Sequence, residues 1–511
     1  MPDVRRGEPT PPIAIGTDGS PTDADAITAH LGTDTVTLDD ALLERLRAAC
    51  ADVRVDAGAR AEASRDWWPL AMIWALDGQV PAVAAAVAAP TDAAQVAAVL
   101  RICNEARVPV TAAAGRSGVC GASVPVHGGV VLDLCGITGI VDVDDESLVV
   151  DVLPGTFGDV FEDDLRAGHG LTVGHWPQSI ALSTVGGWIA CRGAGQYSTR
   201  YGKIEDMVVG LDVVLADGTA IRTGGAPRAA AGPDLTQLFV GSEGTLGVIT
   251  GARLRAHPVP AVERRAAYGF TSFESGLDAC RRILRRGATP AVLRLYDAIE
   301  GERGFETGTD LHPLLILDEG DAHLVDGVLA VVAEECADAA ELDGATLVGR
   351  WLDHRNDVSA LEPLVTRGYV VDTMEIAARW RELPAIYAAA TDAIRAVEHT
   401  LVASAHQSHA YTDGACLYFT FAGQPPLDER DAYYRAVWDA GTRAVLEHGG
   451  ALSHHHGVGL NRARFMREAL GPAFDVLAAT KQALDPSGIL NPGKLGLPSP
   501  FGPSPAWPGS A

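Results

Sequence analysis

The fold is decided by the stretch Gly174–Gly210, which reads G-H-W-P-Q-S-I-A-L-S-T-V-G-G-W-I-A-C-R-G-A-G-Q-Y-S-T-R-Y-G-K-I-E-D-M-V-V-G. A second stretch, Phe239–Thr250, reads F-V-G-S-E-G-T-L-G-V-I-T. Each glycine adds conformational entropy to the unfolded chain, so a segment that only has to pack would not use so many. A backbone that wraps closely around a large planar cofactor does need them. The glycines in question are Gly186, Gly187, Gly193, Gly195, Gly241, Gly244 and Gly247.

A third small-residue loop lies upstream and reads T-A-A-A-G-R-S over Thr111–Ser117. Asp92 or Thr91 can cap a helix that precedes it, and strands are predicted at Val108–Ala112 and Gly129–Leu134. Such a loop lets backbone N–H groups approach a diphosphate, although a plain tight turn would use the same residues.

Further strands are predicted downstream, and they alternate with helices. They are Ser147–Val152, Met207–Leu215, Thr219–Thr223 after the turn signal Asp217-Gly218, Ala291–Leu295 and Cys416–Phe421. This alternation between residues 262 and 450 predicts a second α+β domain.

Composition limits the function classes. The 511 residues carry 66 acidic and 40 basic side chains, a formal charge of -26, which disfavours nucleic acid as a partner. We expect no transmembrane segment, since no window reaches about 18 apolar residues. The eight cysteines form no C-x-x-C pair, so we expect reduced core thiols and a cytoplasmic location.

One apolar run, Trp67–Leu76 (W-W-P-L-A-M-I-W-A-L), is too short to span a bilayer. It could contact a membrane or a lipid tail, but runs of this length are usually core. We therefore favour a buried segment at the start of the first domain.

The glycine-rich stretches together resemble the FAD-binding domain of the vanillyl-alcohol-oxidase superfamily. The matching motifs are P-x-S-x-x-x-S-T-V-G-G-W (Pro177–Trp188), Y-G-x-I-E-D-x-V (Tyr201–Val208), G-S-E-G-T-L-G-V-I-T (Gly241–Thr250) and D-P-S-G-I-L-N-P-G-K-L (Asp485–Leu495). The resemblance implies an α+β fold with a two-subdomain PCMH-type FAD-binding domain and an α+β substrate domain that carries an antiparallel sheet.

The resemblance also implies which residues contact FAD. It assigns the diphosphate to Thr111, Ala112, Ala113, Ala114, Gly115, Arg116 and Ser117. It assigns the flavin to Pro177, Gln178, Ser179, Ile180, Ala181, Leu182, Ser183, Ala190, Cys191, Arg192 and Gly193. It assigns the adenosine side to Glu243, Gly244, Thr245, Leu246, Gly247, Val248 and Ile249. Ala113-Ala114-Gly115 departs from a Gly-Gly-Gly that is frequent in the family, and no attachment residue is apparent, so we expect non-covalent FAD.

The segment S-H-H-H-G-V-G (Ser453–Gly459) is the second informative cluster. Three consecutive histidines on a strand would point to opposite faces, which argues against zinc, and we predict no metal. Proton transfer suits imidazole better because its pKa lies near neutrality.

This cluster follows Y-T-D-G-A-C-L-Y-F-T-F (Tyr411–Phe421), and the pair resembles the alkyldihydroxyacetonephosphate synthase family. That resemblance implies that Tyr418 is the catalytic proton shuttle and that His454, His455 and His456 relay protons near the flavin. Without it, a tyrosine in a short aromatic strand would be read as core.

Two arginines complete the predicted site. A-V-L-R-L-Y-D (Ala291–Asp297) is similar to the family segment whose arginine is needed for activity, which gives Arg294, on the strand face opposite Leu293 and Leu295. Near Gly368–Glu375 the chain departs from the family's phosphate-binding pattern, and it offers Arg355 or, as the weaker choice, Arg367 as the anion-binding residue.

The resemblance implies exchange of the acyl group of acyl-dihydroxyacetone phosphate for a fatty alcohol, through a flavin adduct without net redox. The alternatives are an FAD-linked oxidase or dehydrogenase of a 2-hydroxy acid such as D-lactate, or a flavin-binding protein without catalysis. We expect an N-terminal extension (1–65), an FAD-binding domain (66–260), a substrate domain (261–450), a C-terminal segment returning to the flavin (451–495) and a flexible tail (496–511). The substrate would be a small lipid-like molecule or hydroxy acid, while a homodimer and peripheral membrane contact stay open.

Overall fold

The structure is a computed structural model that describes residues 13–16, 22–358, 361–503 and 505. Its α-helices are α1 (Asp40–Ala49), α2 (Ala57–Ala63), α3 (Pro69–Ala75), α4 (Ala93–Ala106), α5 (Gly158–His169), α6 (Val185–Cys191), α7 (Ser198–Tyr201), α8 (Ile204–Met207), α9 (Leu235–Phe239), α10 (Phe273–Arg285), α11 (Ala298–Phe305), α12 (Ala322–Glu335), α13 (Gly344–His354), α14 (Leu361–Thr366), α15 (Leu383–Arg395), α16 (Arg430–Glu447), α17 (Met466–Leu470) and α18 (Ala473–Leu484).

The strands are β1 (Thr28–Ala29), β2 (Asp52–Arg54), β3 (Gln79–Val80), β4 (Ala86–Ala89), β5 (Val110–Ala113), β6 (Val130–Asp133), β7 (Ile140–Asp144), β8 (Val149–Val152), β9 (Leu171–Thr172), β10 (Val208–Val214), β11 (Ala220–Gly224), β12 (Val248–Arg255), β13 (His257–Pro258), β14 (Val262–Phe270), β15 (Val292–Tyr296), β16 (His312–Gly320), β17 (Ala340–Leu342), β18 (Val370–Arg379), β19 (Thr400–Ala410) and β20 (Gly414–Gly423).

Two small sheets build the first half of the molecule. One has the order β2-β4-β6-β5 with β4, β5 and β6 parallel, and the other is antiparallel with the order β11-β10-β12-β8-β7. The predicted helix cap is confirmed, because the Asp92 carboxylate accepts a hydrogen bond from the Gln95 backbone N–H at 2.8 Å and α4 begins at Ala93. The loop 114–129 connects the parallel strands β5 and β6.

The second half carries a seven-stranded antiparallel sheet with the order β17-β14-β16-β15-β19-β20-β18. The α+β class and the antiparallel sheet of the substrate domain are thereby confirmed. Within this sheet Tyr418 on β20 lies opposite Glu375 on β18 and opposite His406 on β19. His406 in turn lies opposite Tyr296 on β15, so these four residues form one row across the sheet.

The apolar run Trp67–Leu76 is buried as we favoured. All seven residues of α3 are buried, and the Trp68 indole N–H donates to the Tyr434 hydroxyl at 2.9 Å. This bond ties the first domain to α16. Within the described residues, no helix is long and apolar enough to cross a membrane.

The C-terminal segment lies against the FAD-binding half. The Asn491 side-chain amide donates to the backbone carbonyls of Glu243 at 2.7 Å and Ala122 at 2.9 Å. Part of the expected flexible tail, Ser504 and residues 506–511, lies outside the described residues. Inside them Leu497 is buried in a cluster with Phe465 and Phe474, and the flexibility of the tail stays a prediction.

Candidate functional site

One large cavity of about 620 Å³ lies between the two halves of the molecule. We call one side of it the FAD cradle, formed by the lining residues that fall within 112–118, 175–183, 190–193 and 243–249. We call the opposite side the substrate wall, formed by Arg294, His406, Tyr418, His455 and His456. A cavity of this size is in the usual range for ligand sites.

Most of the residues predicted to contact FAD line the cavity. They are Ala112, Ala113, Ala114, Gly115, Arg116, Ser117, Pro177, Gln178, Ser179, Leu182, Ser183, Ala190, Cys191, Gly193, Glu243, Gly244, Gly247, Val248 and Ile249. Six others are not among its lining residues: Thr111, Ile180, Ala181, Arg192, Thr245 and Leu246. Ile180 and Leu246 face the hydrophobic core, and Arg192 is paired with Glu205 at 3.1 Å.

Close approach of two cradle segments explains the glycine at position 115. A Cβ atom there would lie 2.3 Å from the backbone oxygen of Leu182, which no ordinary contact allows. At Gly118, three residues further, the nearest atom would be 3.8 Å away. The loop therefore needs glycine at 115 and not at 118.

The cradle also offers unpaired donors to an anionic cofactor. Arg116 has a positive φ of 46° and a side chain that is 9% exposed. Its Nε and Nη1 atoms have no hydrogen-bond partner among the described residues, although Nη1 lies 3.7 Å from the Asp133 carboxylate. Buried guanidinium donors of this kind suit a diphosphate, so the residues present fit FAD.

Sequence reasoning missed His175, which lines the cradle beside Trp188. The side chain is fully buried, and neither ring nitrogen has a partner among the described residues. Burial lowers the pKa of His175 to about 3, so the ring is neutral at pH 7.

The three consecutive histidines lie in a loop, and not on the strand that the zinc argument assumed. The buried Glu375 carboxylate holds this loop by accepting hydrogen bonds from the backbone N–H groups of His454, His455 and His456. Burial raises the pKa of Glu375, but Arg462, whose Nη1 donates at 2.8 Å, outweighs burial together with His456 and the hydrogen bonds to the carboxylate, and the pKa falls to about 2. Glu375 is therefore a permanent anion that shapes the loop.

Only two of the three histidine side chains reach the cavity. His455 and His456 line the cavity, whereas His454 lies 2.9 Å from the Tyr411 hydroxyl and is absent from the lining. Burial lowers the pKa of all three, that of His456 to about 4. The rings are neutral near pH 7, and a neutral imidazole can both donate and accept a proton.

Two groups of side chains approach the spacing of a metal site. The ligand atoms of His409, His454 and His455 lie within 4.8 Å of one another, and so do those of Glu375, Cys416 and His455. The absence of metal therefore stays a prediction.

Tyr418 stands at the centre of the substrate wall. Its hydroxyl accepts a hydrogen bond from the Thr373 hydroxyl at 3.0 Å, and its ring stacks on His406 with 4.9 Å between centroids. The rings of His455 and His456 lie 6.0 Å and 5.4 Å away. Burial raises the pKa of Tyr418, so the phenol keeps its proton at neutral pH.

Arg294 also reaches the cavity, as predicted. Leu293 and Leu295 face the hydrophobic core, which agrees with the expected alternation on β15. The Arg294 Nη2 atom lies 2.7 Å from His406 Nε2, and His406 Nδ1 lies 2.6 Å from Glu300 Oε2.

The structure does not place Arg355, the residue predicted to bind the substrate anion, among the residues that line the cavity. Its guanidinium packs over the rings of Trp176, Tyr197 and Trp351 at 5.1 to 5.6 Å and donates to Gln196 Oε1 at 3.2 Å. Gln196 lines the cavity, so Arg355 lies one layer behind it. The sequence neighbourhood of Arg355 gave no sign of these aromatic partners, because two of them are more than 150 residues away. Arg367, the weaker choice, is exposed and does not line the cavity either.

Sequence reasoning missed His406, Thr373 and Arg303, which all line the cavity. The segment S-A-H-Q-S (Ser404–Ser408) places a polar residue at every second position, which indicates a strand with one polar face. The turn at Thr412–Gly414 could have paired that face with Tyr418. A bulge between Gln407 and His409 would have left the exact partner uncertain from sequence.

Comparisons with known proteins match two family models to the chain. A model of the FAD binding domain matches residues 84–224, and a model of the C-terminal domain of FAD linked oxidases matches residues 259–495. The uncharacterised FAD-linked oxidoreductase YgcU of Escherichia coli (strain K12) is 32% identical over 438 residues, which cover 81% of this chain and 89% of that protein.

Two further likenesses concern one enzyme. Alkyldihydroxyacetonephosphate synthase of Dictyostelium discoideum is 28% identical over 456 residues, which cover 82% of this chain and 74% of that protein. A solved structure of an alkyldihydroxyacetonephosphate synthase superposes with a TM-score of 0.75 at 23% identity, covering 96% of this chain and 91% of that chain, which shows a shared fold. The chain therefore belongs to the FAD-linked oxidoreductases, and it is an FAD-dependent enzyme.

Proposed function

We propose that this enzyme catalyses an exchange like that of alkyldihydroxyacetonephosphate synthase, in which the acyl group of acyl-dihydroxyacetone phosphate is replaced by a fatty alcohol without net redox. One observation carries the proposal: Tyr418, His455 and Arg294 come from three separate segments and meet on the wall that faces the FAD cradle. FAD, when bound there, supplies an electron sink beside the reacting carbon. Side chains of the substrate wall supply the proton transfers and hold the anion.

Tyr418 is the group that exchanges a proton with the substrate carbon. Because its oxygen accepts the Thr373 hydrogen bond, its own O–H is free to point into the cavity. A positioned acid or base of this kind typically contributes about 10² to 10⁴ in rate.

His455 and His456 pass the proton onward. The ring centroids of His455 and His456 lie 6.0 Å and 5.4 Å from that of Tyr418. Burial lowers the pKa of both imidazoles, so they are neutral before the reaction. A neutral ring can take up a proton and release it from its other nitrogen. His454 does not line the cavity but contacts His455, since its Nδ1 lies 3.0 Å from His455 Nδ1, and it can exchange a proton with that ring.

A second candidate is oxidation of a 2-hydroxy acid, and the position of Arg355 favours it. A carboxylate attached directly to the reacting carbon needs only one guanidinium near Tyr418, and Arg294 provides it. A phosphate further from that carbon needs another cationic side chain, and of the two arginines predicted from the sequence only Arg294 lines the cavity.

Product analysis separates the two candidates. The FAD-loaded protein is incubated without oxygen with palmitoyl-dihydroxyacetone phosphate and hexadecanol, and the products are identified by mass spectrometry. The exchange predicts an ether product and palmitate, with the flavin oxidised again once the substrates are consumed. Bleaching by D-lactate or another 2-hydroxy acid, with no ether product, would establish the oxidoreductase instead. The same sample tests non-covalent binding, because acid precipitation should release intact FAD from the polypeptide.

A further inference from the structure

Arg303 brings a guanidinium to the cavity in addition to those of Arg116 and Arg294. It lies in the last turn of α11, lines the cavity and has a side chain that is 52% exposed. Its Nη2 atom lies 3.3 Å from Glu300 Oε1. A guanidinium has five donor hydrogens, so this single contact leaves most of them unused.

Glu300 connects Arg303 to Arg294 through His406. Arginine has no acceptor, so the 2.7 Å contact makes His406 Nε2 the acceptor of an Arg294 N–H. His406 Nδ1 then carries the hydrogen and donates it to the Glu300 carboxylate at 2.6 Å. The imidazole is neutral in this arrangement.

The charges of this network do not cancel. Two guanidinium groups accompany one carboxylate and one neutral ring, which leaves this network with one positive charge in a chain whose formal charge is -26. Since the charge is local and partly withdrawn from water, it selects an anionic group despite the acidic surface.

We propose that Arg303 is a further anion-binding residue of this cavity, and that Arg294 and Arg303, linked through His406 and Glu300, together bind an oxyanion of the substrate. The oxyanion is a phosphate or a carboxylate. The inference rests on the proposed function only in placing the substrate in this cavity, and it supplies the second cation that Arg355 does not.

The test uses a pair of matched variants of the FAD-loaded protein. Arg303→Gln removes the proposed ligand, and Arg395→Gln is its control. Arg395 is 54% exposed and pairs with Asp392 at 3.3 Å in the same i,i+3 relation, but it does not line the cavity. Inorganic phosphate and acetate are titrated separately, and binding is followed by the change in flavin absorbance, which reports on this cavity alone.

We expect the dissociation constant of at least one anion to rise by roughly tenfold or more in Arg303→Gln and to stay within about twofold of the parent in Arg395→Gln, because the lost hydrogen bond involves two charged groups. The anion with the larger change identifies the source of the oxyanion. Arg303→Lys should show an intermediate loss, since an ammonium lacks the planar fork of guanidinium. It replaces Arg303→Gln as the test if that variant does not retain FAD.

Unchanged affinities for both anions in Arg303→Gln would overturn the inference, and so would a parent protein whose flavin spectrum responds to neither anion. These outcomes are distinct from failure of the proposed function. Weakened anion binding in Arg303→Gln without any ether product from the parent would reject the exchange and keep Arg303. Ether formation by the parent with unaltered anion binding in Arg303→Gln would keep the exchange and reject the role of Arg303.

Discussion

The FAD cradle and the substrate wall face each other across one cavity, but they are built in different ways. The cradle consists of small residues and backbone from a few compact loops, and at Gly115 two of those loops touch so closely that a methyl group does not fit. The wall consists of side chains from β15, β19, β20 and the histidine loop, each held by a buried partner such as Glu300 or Glu375. The comparison predicts that adding atoms to the cradle weakens FAD binding. Removing atoms from the wall should instead lower turnover.

Gly115→Ala should have the largest effect. The added methyl group would meet the Leu182 carbonyl and push two cradle segments apart, at a cost of about 1 to 3 kcal/mol. FAD affinity should fall on the order of a hundredfold and the purified protein should be colourless. Gly118→Ala, in the same loop with room for a methyl group, should stay yellow. Equal FAD content in both variants would show that the loop does not need its close approach.

Tyr418→Phe should leave FAD bound and reduce turnover by roughly a hundredfold or more, because it removes one hydroxyl group and almost no volume. The control is Tyr433→Phe, which deletes a hydroxyl that lies 3.1 Å from Thr400, outside the cavity lining. Steady-state rates and flavin spectra of both variants check this. Wild-type turnover in Tyr418→Phe would make the residue a packing aromatic.

His175→Leu should flatten the acid dependence of stability. The pKa of His175 falls from 6.5 to about 3 on folding, so its contribution is present above pH 6.5 and is lost as the pH falls towards 3. Between pH 6.5 and 5 this amounts to about 2 kcal/mol in the free energy of unfolding. Urea unfolding at several pH values measures it, with exposed His169→Leu as the control. Equal pH slopes in the parent and His175→Leu would contradict the assignment.

Arg355→Lys should have the smallest effect, and on stability only. The change weakens the stacking on Trp176, Tyr197 and Trp351 by about 1 kcal/mol. The unfolding temperature should fall while the Michaelis constant of the substrate stays the same. A raised Michaelis constant with unchanged stability would return Arg355 to the substrate.

The difference in construction between the FAD cradle and the substrate wall explains how much of the site could be predicted from the sequence. The cradle could be located because its glycines, its Asp92 cap and its strand ends follow local rules that act over a few residues. Tyr418, Arg294 and the histidine loop could be found only through their resemblance to a family, since nothing nearby in sequence distinguishes a catalytic tyrosine from a core one.

What could not be predicted depends on long-range packing. Arg355 packs over the rings of Trp176 and Tyr197 and does not line the cavity. His406 lies opposite Tyr418 in a strand pair whose register contains a bulge. Glu375 fixes the loop at 454–456 from about 80 residues away. Short-range periodicity does not by itself fix such pairings, because a bulge shifts the register of a strand.

The central claim is that the substrate wall exchanges a proton through Tyr418 without net electron transfer to FAD. It is tested most directly by incubating the FAD-loaded protein with palmitoyl-dihydroxyacetone phosphate in deuterium oxide, without the fatty alcohol and without oxygen, while mass spectrometry and the flavin spectrum are recorded. The account predicts deuterium at the carbon beside the ketone for the parent, little or none for Tyr418→Phe, and no product of two-electron oxidation of the substrate from either protein. Equal deuterium incorporation in the two proteins, or a substrate-derived product oxidised by two electrons, would contradict it.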